Sequence, residues 1–488
     1  MLFNSPEFVF AFFPSVFAVY WLASKGGRTV YCIFVLAGAS LFFYGYWKPG
    51  YLALLLASIG GNYLIARLMF SSQEIPVKRW LLILGVIFNL ALLGYFKYAM
   101  FLLENAALAF GEPWSIKPVV LPLAISFFTF QQIAYLVDCH KNEMVPPPFS
   151  KYLLFISFFP QLIAGPIVHH YEILPQLENL GRKGDRLFLF LVGTTFFFAG
   201  LFKKVILADN IGAYADPVFY DAAEGIGVAA LDAWIATFCF GFQIYFDFSG
   251  YSDMAIGLAL LFGIRLPLNF DSPYKATSII DFWRRWHITL SRFLRDHLYI
   301  PLGGNRHGVG RQFSNMMVVM LLGGLWHGAG WGFVLWGGLH GIYLSINHAW
   351  RRLGPDWRLP AGIGGCLTFL AVMVAWVPFR AETWEATAVV WKAMAGISTL
   401  VDPGISCEHA WLDESMSAIA SLLILTVFVW LLPNTQDWLR YSEKDKEATW
   451  ITWEPATYWA IFNGIAAVFA LSFMIGRPET EEFLYFQF

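Results

Sequence analysis

The chain has 488 residues, of which 58% are hydrophobic and only 14% charged, against a usual charged share of about 25%. That balance excludes a soluble globular protein of this size, and several apolar runs reach the about 20 residues needed to cross a hydrocarbon layer. With 32 Lys and Arg against 34 Asp and Glu the net charge is -2, so no bulk attraction to nucleic acid or anionic lipid follows, and the expected surroundings are membrane lipids.

Hydropathy places candidate spans, in chain order, near Phe8 to Leu22, Val30 to Trp47, Tyr51 to Phe70, Leu81 to Leu103 and Val119 to Val137. Others lie near Leu187 to Leu207, Leu231 to Phe248, Asp253 to Gly263, Asn315 to Gly330 and Gly332 to Asn347. The last three lie near Gly362 to Phe379, Ser417 to Leu432 and Tyr458 to Ile475. The expected fold is therefore an all-α polytopic membrane protein of roughly 11–13 membrane helices in a single domain, residues 1–488. Between them, Tyr152 to Val168 is broken by Pro160 and Pro166 and is expected to be re-entrant or interfacial, with its non-helical backbone buried in protein. Met1 to Phe8 has no basic stretch before the apolar run, which reads as a retained first span. Lys25 and Arg28, then Arg67, Lys78 and Arg79, then Lys141 and Lys151 occupy alternate loops, while Lys48 and Lys117 occupy the others. The excess marks the cytoplasmic side and puts the N-terminus outside. Pro146 to Pro148 and Tyr441 to Lys446 read as solvated connections.

Cys32, Cys139, Cys239, Cys366 and Cys407 are scattered without a C-x-x-C pair, so neither a disulfide framework nor a zinc site is expected. The chain also lacks a G-x-S-x-G elbow, an H-E-x-x-H pair, a P-loop and a G-x-G-x-x-G fingerprint. No metal or bound cofactor is expected.

Chemistry-bearing residues concentrate between Asp281 and Gly341. One ionisable side chain at the centre of a spanning helix costs roughly 2.5 to 3.5 kcal/mol, so this cluster calls for a function. If Asp281 to Leu298 is one helix, Asp281 faces Arg284 and Arg285, and Arg292 faces Arg295 and Asp296. Two readings stand: an amphipathic interfacial anchor with snorkelling arginines, or a basic mouth for the phosphates of a donor such as coenzyme A. His327 lies in a glycine-rich apolar setting, Leu321 to Trp326 before it and Gly328 to Trp331 after it. A neutral imidazole there can take a proton near neutral pH; a satisfied core histidine is the other reading. His287 and His340 lie in the same region.

The runs Gln243 to Leu258, Asn269 to Tyr274, Phe282 to Ser291, Leu294 to Ile300, Leu302 to Arg306 and Leu322 to Gly328 resemble the membrane-bound O-acyltransferase (MBOAT) family. Within it they are similar to the bacterial AlgI-type branch that O-acetylates exopolysaccharides, as are Pro122 to Phe128, Phe159 to Pro166 and the closing Tyr485 to Phe488. The likeness spans nearly the whole chain in order and spacing. One departure is His169-His170, where the branch commonly shows a basic residue, usually Arg, after Ala164-Gly-Pro166.

The resemblance implies helices around a central polar tunnel, through which an acyl group passes from a cytosolic thioester, acetyl-CoA, to an acceptor on the far side of the bacterial inner membrane. It implies catalysis by His327 as general base, with His287 orienting the donor or stabilising developing charge. Arg284, Arg285, Arg292, Arg295, Asn305 and Trp326 become donor-binding candidates, while Asp247, Asp253 and Asp281 are expected to pair structurally. Trp283, Trp286 and Trp326 are otherwise packing and interface residues. The expected product is an O-acetylated polysaccharide, alginate or cellulose. Expected partners are periplasmic SGNH-type acetyltransferases and the polysaccharide synthesis and secretion complex. D-alanyl transfer to a cell-wall polymer, or non-enzymatic transport along the intramembrane charges, are the alternatives.

Overall fold

A computed structural model describes the chain apart from residues 112–118, 143, 164, 182–185, 355–356, 358, 398–411, 442–450, 478–480, 482 and 485–488. The closing Tyr485 to Phe488, most of the Tyr441 to Lys446 loop, Lys117, Ala164 and Cys407 lie outside the described residues. The rest is mostly helical, with no strand among the described residues. The protein is an all-α polytopic membrane protein. Contacts divide it into two compact units: Met1–Ala199 with Tyr251–Pro267 and Met474–Glu482, and Gly200–Gly250 with Leu268–Phe473 and Phe483–Phe488.

The first unit starts with α1 (Phe8–Lys25), α2 (Thr29–Trp47), α3 (Pro49–Ser71) and α4 (Ile75–Phe110), all apolar enough to span. Their buried asparagines are satisfied within the protein. Asn62 of α3 and Asn89 of α4 exchange amide hydrogen bonds at 3.2 and 2.6 Å, and Gln132 of α5 (Ile125–Asn142) donates to Ser58 Oγ at 2.9 Å. After helix α6 (Phe149–Ser157) the chain breaks at Phe158 and resumes for one turn over Phe159–Leu162, and the described residues from there to His169 are not helical. The described residues from Leu154 to His169 are buried, so the irregular backbone at Phe158 and around Pro166 is covered by protein, as membrane depth demands. His169-His170 meet a carboxylate of the chain itself: Nδ1 of His169 is 3.6 Å and Nδ1 of His170 3.2 Å from Asp138 Oδ2.

Two helices belong partly to each unit, α7 (Arg186–Gly212) and α8 (Ala230–Leu261). The separate spans expected at Leu231 to Phe248 and Asp253 to Gly263 are one helix of 32 residues. The intervening Ser249-Gly250-Tyr251-Ser252 stays helical because it is wholly buried, and burial overrides the weak helix propensity of Gly and Ser.

The second unit continues with α9 (Ile279–Arg285), α10 (Ile288–Leu294), α11 (Gly308–His327), α12 (Trp331–Leu353) and α13 (Ala361–Arg380). Seven helices among the described residues combine the length and apolarity of a span, fewer than the spans read from hydropathy. α8, α11 and α12 are long enough, at 32, 20 and 23 residues, but carry Asp, Asn, His and Arg. Helices so composed are suited to protein surroundings rather than lipid.

Candidate active site

The expected single helix from Asp281 to Leu298 is interrupted. Ser278 caps α9, its Oγ accepting the Asp281 N–H at 3.2 Å, and α9 ends at Arg285. Trp286 is extended, and His287 adopts the left-handed conformation at φ 41° and ψ 56°. Histidine tolerates this region better than bulky or β-branched residues, yet a non-glycine residue held there signals a constraint from its surroundings. The constraint comes from Asn269 and Asp271. Asn269 accepts the Ile288 N–H at 2.9 Å through its carbonyl and the Thr289 hydroxyl at 2.6 Å through its side chain. The Asp271 N–H donates to the Arg285 carbonyl at 2.9 Å. The Asn269-to-Tyr274 motif is thus the brace that turns His287 inward.

His287 is fully buried. Its ring stands edge-on to Phe248 at 4.8 Å and lies 6.0 Å from Trp326 and 6.5 Å from His327. Burial pushes its pKa down to about 3, so the imidazole is neutral at physiological pH, with one N–H donor and one acceptor nitrogen. Neither nitrogen has a hydrogen-bond partner among the described residues.

His327 is the last residue of α11. It is positioned by close contact between α11 and α12 one turn earlier. A Cβ on Gly324 would lie 2.2 Å from the Phe333 carbonyl oxygen, and one on Gly337 would lie 2.2 Å from that of Met320. Only glycine at these two places lets the backbones meet this closely. The His327 ring is then walled by Trp326 and Trp336, each at 5.0 Å, and Phe379 of α13 at 5.4 Å. His340 follows Trp336 by one helical turn, fully buried with ring centroids 4.9 Å apart.

The other predicted residues fall around this centre in different ways. Trp326 is buried against both catalytic candidates. Arg285 bonds Asp281 at 2.9 Å and the Asp271 carbonyl at 3.2 Å. Arg295 bonds both oxygens of its neighbour Asp296, at 2.7 and 3.1 Å. Arg284 and Asn305 are exposed and Arg292 half-buried. Asp253 is buried in α8. Asp247 pairs structurally: Oδ1 lies 2.7 Å from Lys204 Nζ, and Oδ2 accepts the Leu484 N–H at 3.0 Å. Lys204 also lies 2.8 Å from Asp209.

Sequence reading passed over Lys204, although a lysine inside an apolar span was itself a signal. It also passed over Trp336, whose spacing of four from His340 puts both on one helical face. Trp283, read as packing, donates its indole N–H to His340 Nδ1 at 3.2 Å. Among the described residues no three His, Cys, Asp or Glu converge as metal ligands. The arrangement is suited to proton transfer: two buried imidazoles share an aromatic enclosure, and both nitrogens of His287 are unpartnered among the described residues.

The model of the membrane-bound O-acyltransferase family matches residues 83–360, more than half of the chain. The chain belongs to that family. This acyltransferase is 44% identical to a peptidoglycan O-acetyltransferase of Helicobacter pylori over 84% of its own length and 81% of the relative's. It is 41% identical to the probable alginate O-acetylase AlgI of Pseudomonas putida, over 81% of this chain and 80% of that one. A teichoic acid D-alanyltransferase of Streptococcus thermophilus is more distant, 27% identical over 53% of this chain and 68% of the other. The resemblance carried by the motifs from Gln243 to Gly328 is therefore a family relationship, and the protein is a membrane enzyme.

Proposed function

We propose that this MBOAT enzyme passes acetyl groups from cytosolic acetyl-CoA across a bacterial inner membrane for O-acetylation of an envelope polysaccharide, its N-terminus facing the periplasm. The observation that carries the reading is the apposition of two buried imidazoles, His287 and His327, 6.5 Å apart inside an aromatic enclosure. His327 acts as general base on the attacking hydroxyl, a role worth roughly 10²- to 10⁴-fold. His287, neutral, orients the thioester or donates to its developing charge. Acetyl is favoured over D-alanyl because the two more similar relatives are named for acetyl transfer and the D-alanyl one is more distant. The same names support alginate and extend the candidate polymers to peptidoglycan, with a periplasmic SGNH-type partner completing the transfer.

The phosphates of coenzyme A need cations. Arg284, exposed at the end of α9, is the arginine best suited, since Arg285 and Arg295 are already engaged by Asp281 and Asp296. Complementing a deletion strain with wild-type or His327→Ala protein, then counting ester-linked acetyl on each purified envelope polymer, tests the reading. Acetyl should return to one polymer with wild type alone; equal acetylation by both would reject His327 as the base.

A further inference from the structure

His340 is fully buried, and its Nδ1 accepts the Trp283 indole N–H at 3.2 Å. An indole nitrogen only donates, so His340 Nδ1 holds a lone pair and the proton of the neutral ring sits on Nε2. The tautomer is thus set by Trp283, and in the site His340 is a donor rather than a base. Phe282 stacks on the ring at 5.9 Å and Tyr343 stands edge-on at 5.8 Å, which fixes its orientation.

His340 Nε2 meets no acceptor among the described residues, and neither does Nε1 of Trp336. The Trp336 ring lies between the two histidines, 4.9 Å from His340 and 5.0 Å from His327. Two buried N–H donors without acceptors, one of them on the ring packed against the general base, are a costly arrangement for packing alone. It is the arrangement required where negative charge develops on an oxygen.

We propose that His340 is a further catalytic residue: its Nε2–H, together with the Trp336 Nε1–H, donates to the carbonyl oxygen of the acyl group during transfer. The inference rests on His327 being the general base. The acceptor hydroxyl oxygen bonds to the thioester carbonyl carbon as His327 takes the hydroxyl proton, and the carbonyl oxygen gains the negative charge that His340 and Trp336 stabilise. The carbonyl then re-forms, the C–S bond breaks, and the thiolate takes the proton from His327 to leave as a thiol. Trp283 is a positioning residue, acting only through the His340 tautomer.

The test measures kcat and the KM for acetyl-CoA in membrane vesicles carrying the full chain, with [14C]acetyl-CoA as probe and the vesicles' own polymer as acceptor. His340→Phe, which keeps a ring but no donor, should lower kcat about 10²- to 10³-fold with KM changed less than about threefold. His340→Gln, whose amide N–H reaches toward the place of Nε2, should recover at least about tenfold of that loss. Trp283→Phe, which frees the tautomer, should cost about tenfold or less. If His340→Phe fails to insert, His340→Met takes its place. A kcat near wild type without the donor, a loss residing in KM, or no recovery by Gln would each overturn the proposal. His327→Ala is measured alongside: if it stays active the general-base reading fails, whereas an inactive His327→Ala with an active His340→Phe sinks only the role of His340.

Discussion

Replacing Gly324 or Gly337 with Ala should slow acyl transfer although neither residue has a side chain to offer substrate. The added Cβ would stand 2.2 Å from a backbone carbonyl oxygen in each case, where real Cβ contacts stay above 3.0 Å, so α11 and α12 must separate by the difference, about 0.8 Å. The obstacle is backbone, so no rotamer change relieves it, and overpacking of this kind costs about 1–3 kcal/mol. Gly324 precedes His327 by three residues, and Gly337 precedes His340 by three. The separation therefore falls within the catalytic enclosure, where a misplacement of about 1 Å can cost on the order of 10²-fold. Gly338→Ala is the control on the same helix, because its Cβ would meet only Leu321 Cδ2 at an ordinary 3.5 Å. Transfer from labelled acetyl-CoA, normalised to inserted protein, should fall roughly 10- to 100-fold for Gly324→Ala and Gly337→Ala and stay near wild type for Gly338→Ala. Equal rates for all three would refute the argument that this helix contact sets the site.

Two further predictions concern stability. Lys204→Met leaves Asp209 and Asp247 buried without their cation and should destabilise the protein by about 3–5 kcal/mol, read as a lower midpoint of thermal unfolding in detergent; an unchanged midpoint would mean the triad is not needed. The depressed pKa of His287 means that the unfolded chain binds its proton at higher pH than the folded one. Its contribution is full above the ordinary 6.5 and declines as pH falls toward about 3. Between pH 6.5 and 5 the loss should reach about 2 kcal/mol. His287→Asn, which tolerates the left-handed backbone, should flatten that dependence, and a slope unchanged in the variant would assign it to other groups.

The membrane class and the order of the apolar helices were legible because about 20 consecutive apolar residues leave a strong mark in composition. The break at Trp286-His287 was not. Asp281 to Leu298 contains neither Gly nor Pro, and its local preference is helical. What interrupts it is the hydrogen bonding of Asn269 and Asp271, more than ten residues earlier. The converse holds in α8, where Ser249-Gly250 looked like a stop and burial keeps it helical. His327 stood out through its glycines, whereas Lys204 and the Trp283–His340 bond emerge only when distant segments are brought together.

The most direct test uses purified protein in sealed vesicles loaded with acceptor polysaccharide, with [14C]acetyl-CoA on the outside, following the label and the thiol together. The proposed function predicts loss of acetyl from coenzyme A, with release of free thiol, in the wild type and not in His327→Ala. Movement of substrate into the vesicles with the thioester intact, or acetyl loss that persists in His327→Ala, would contradict it.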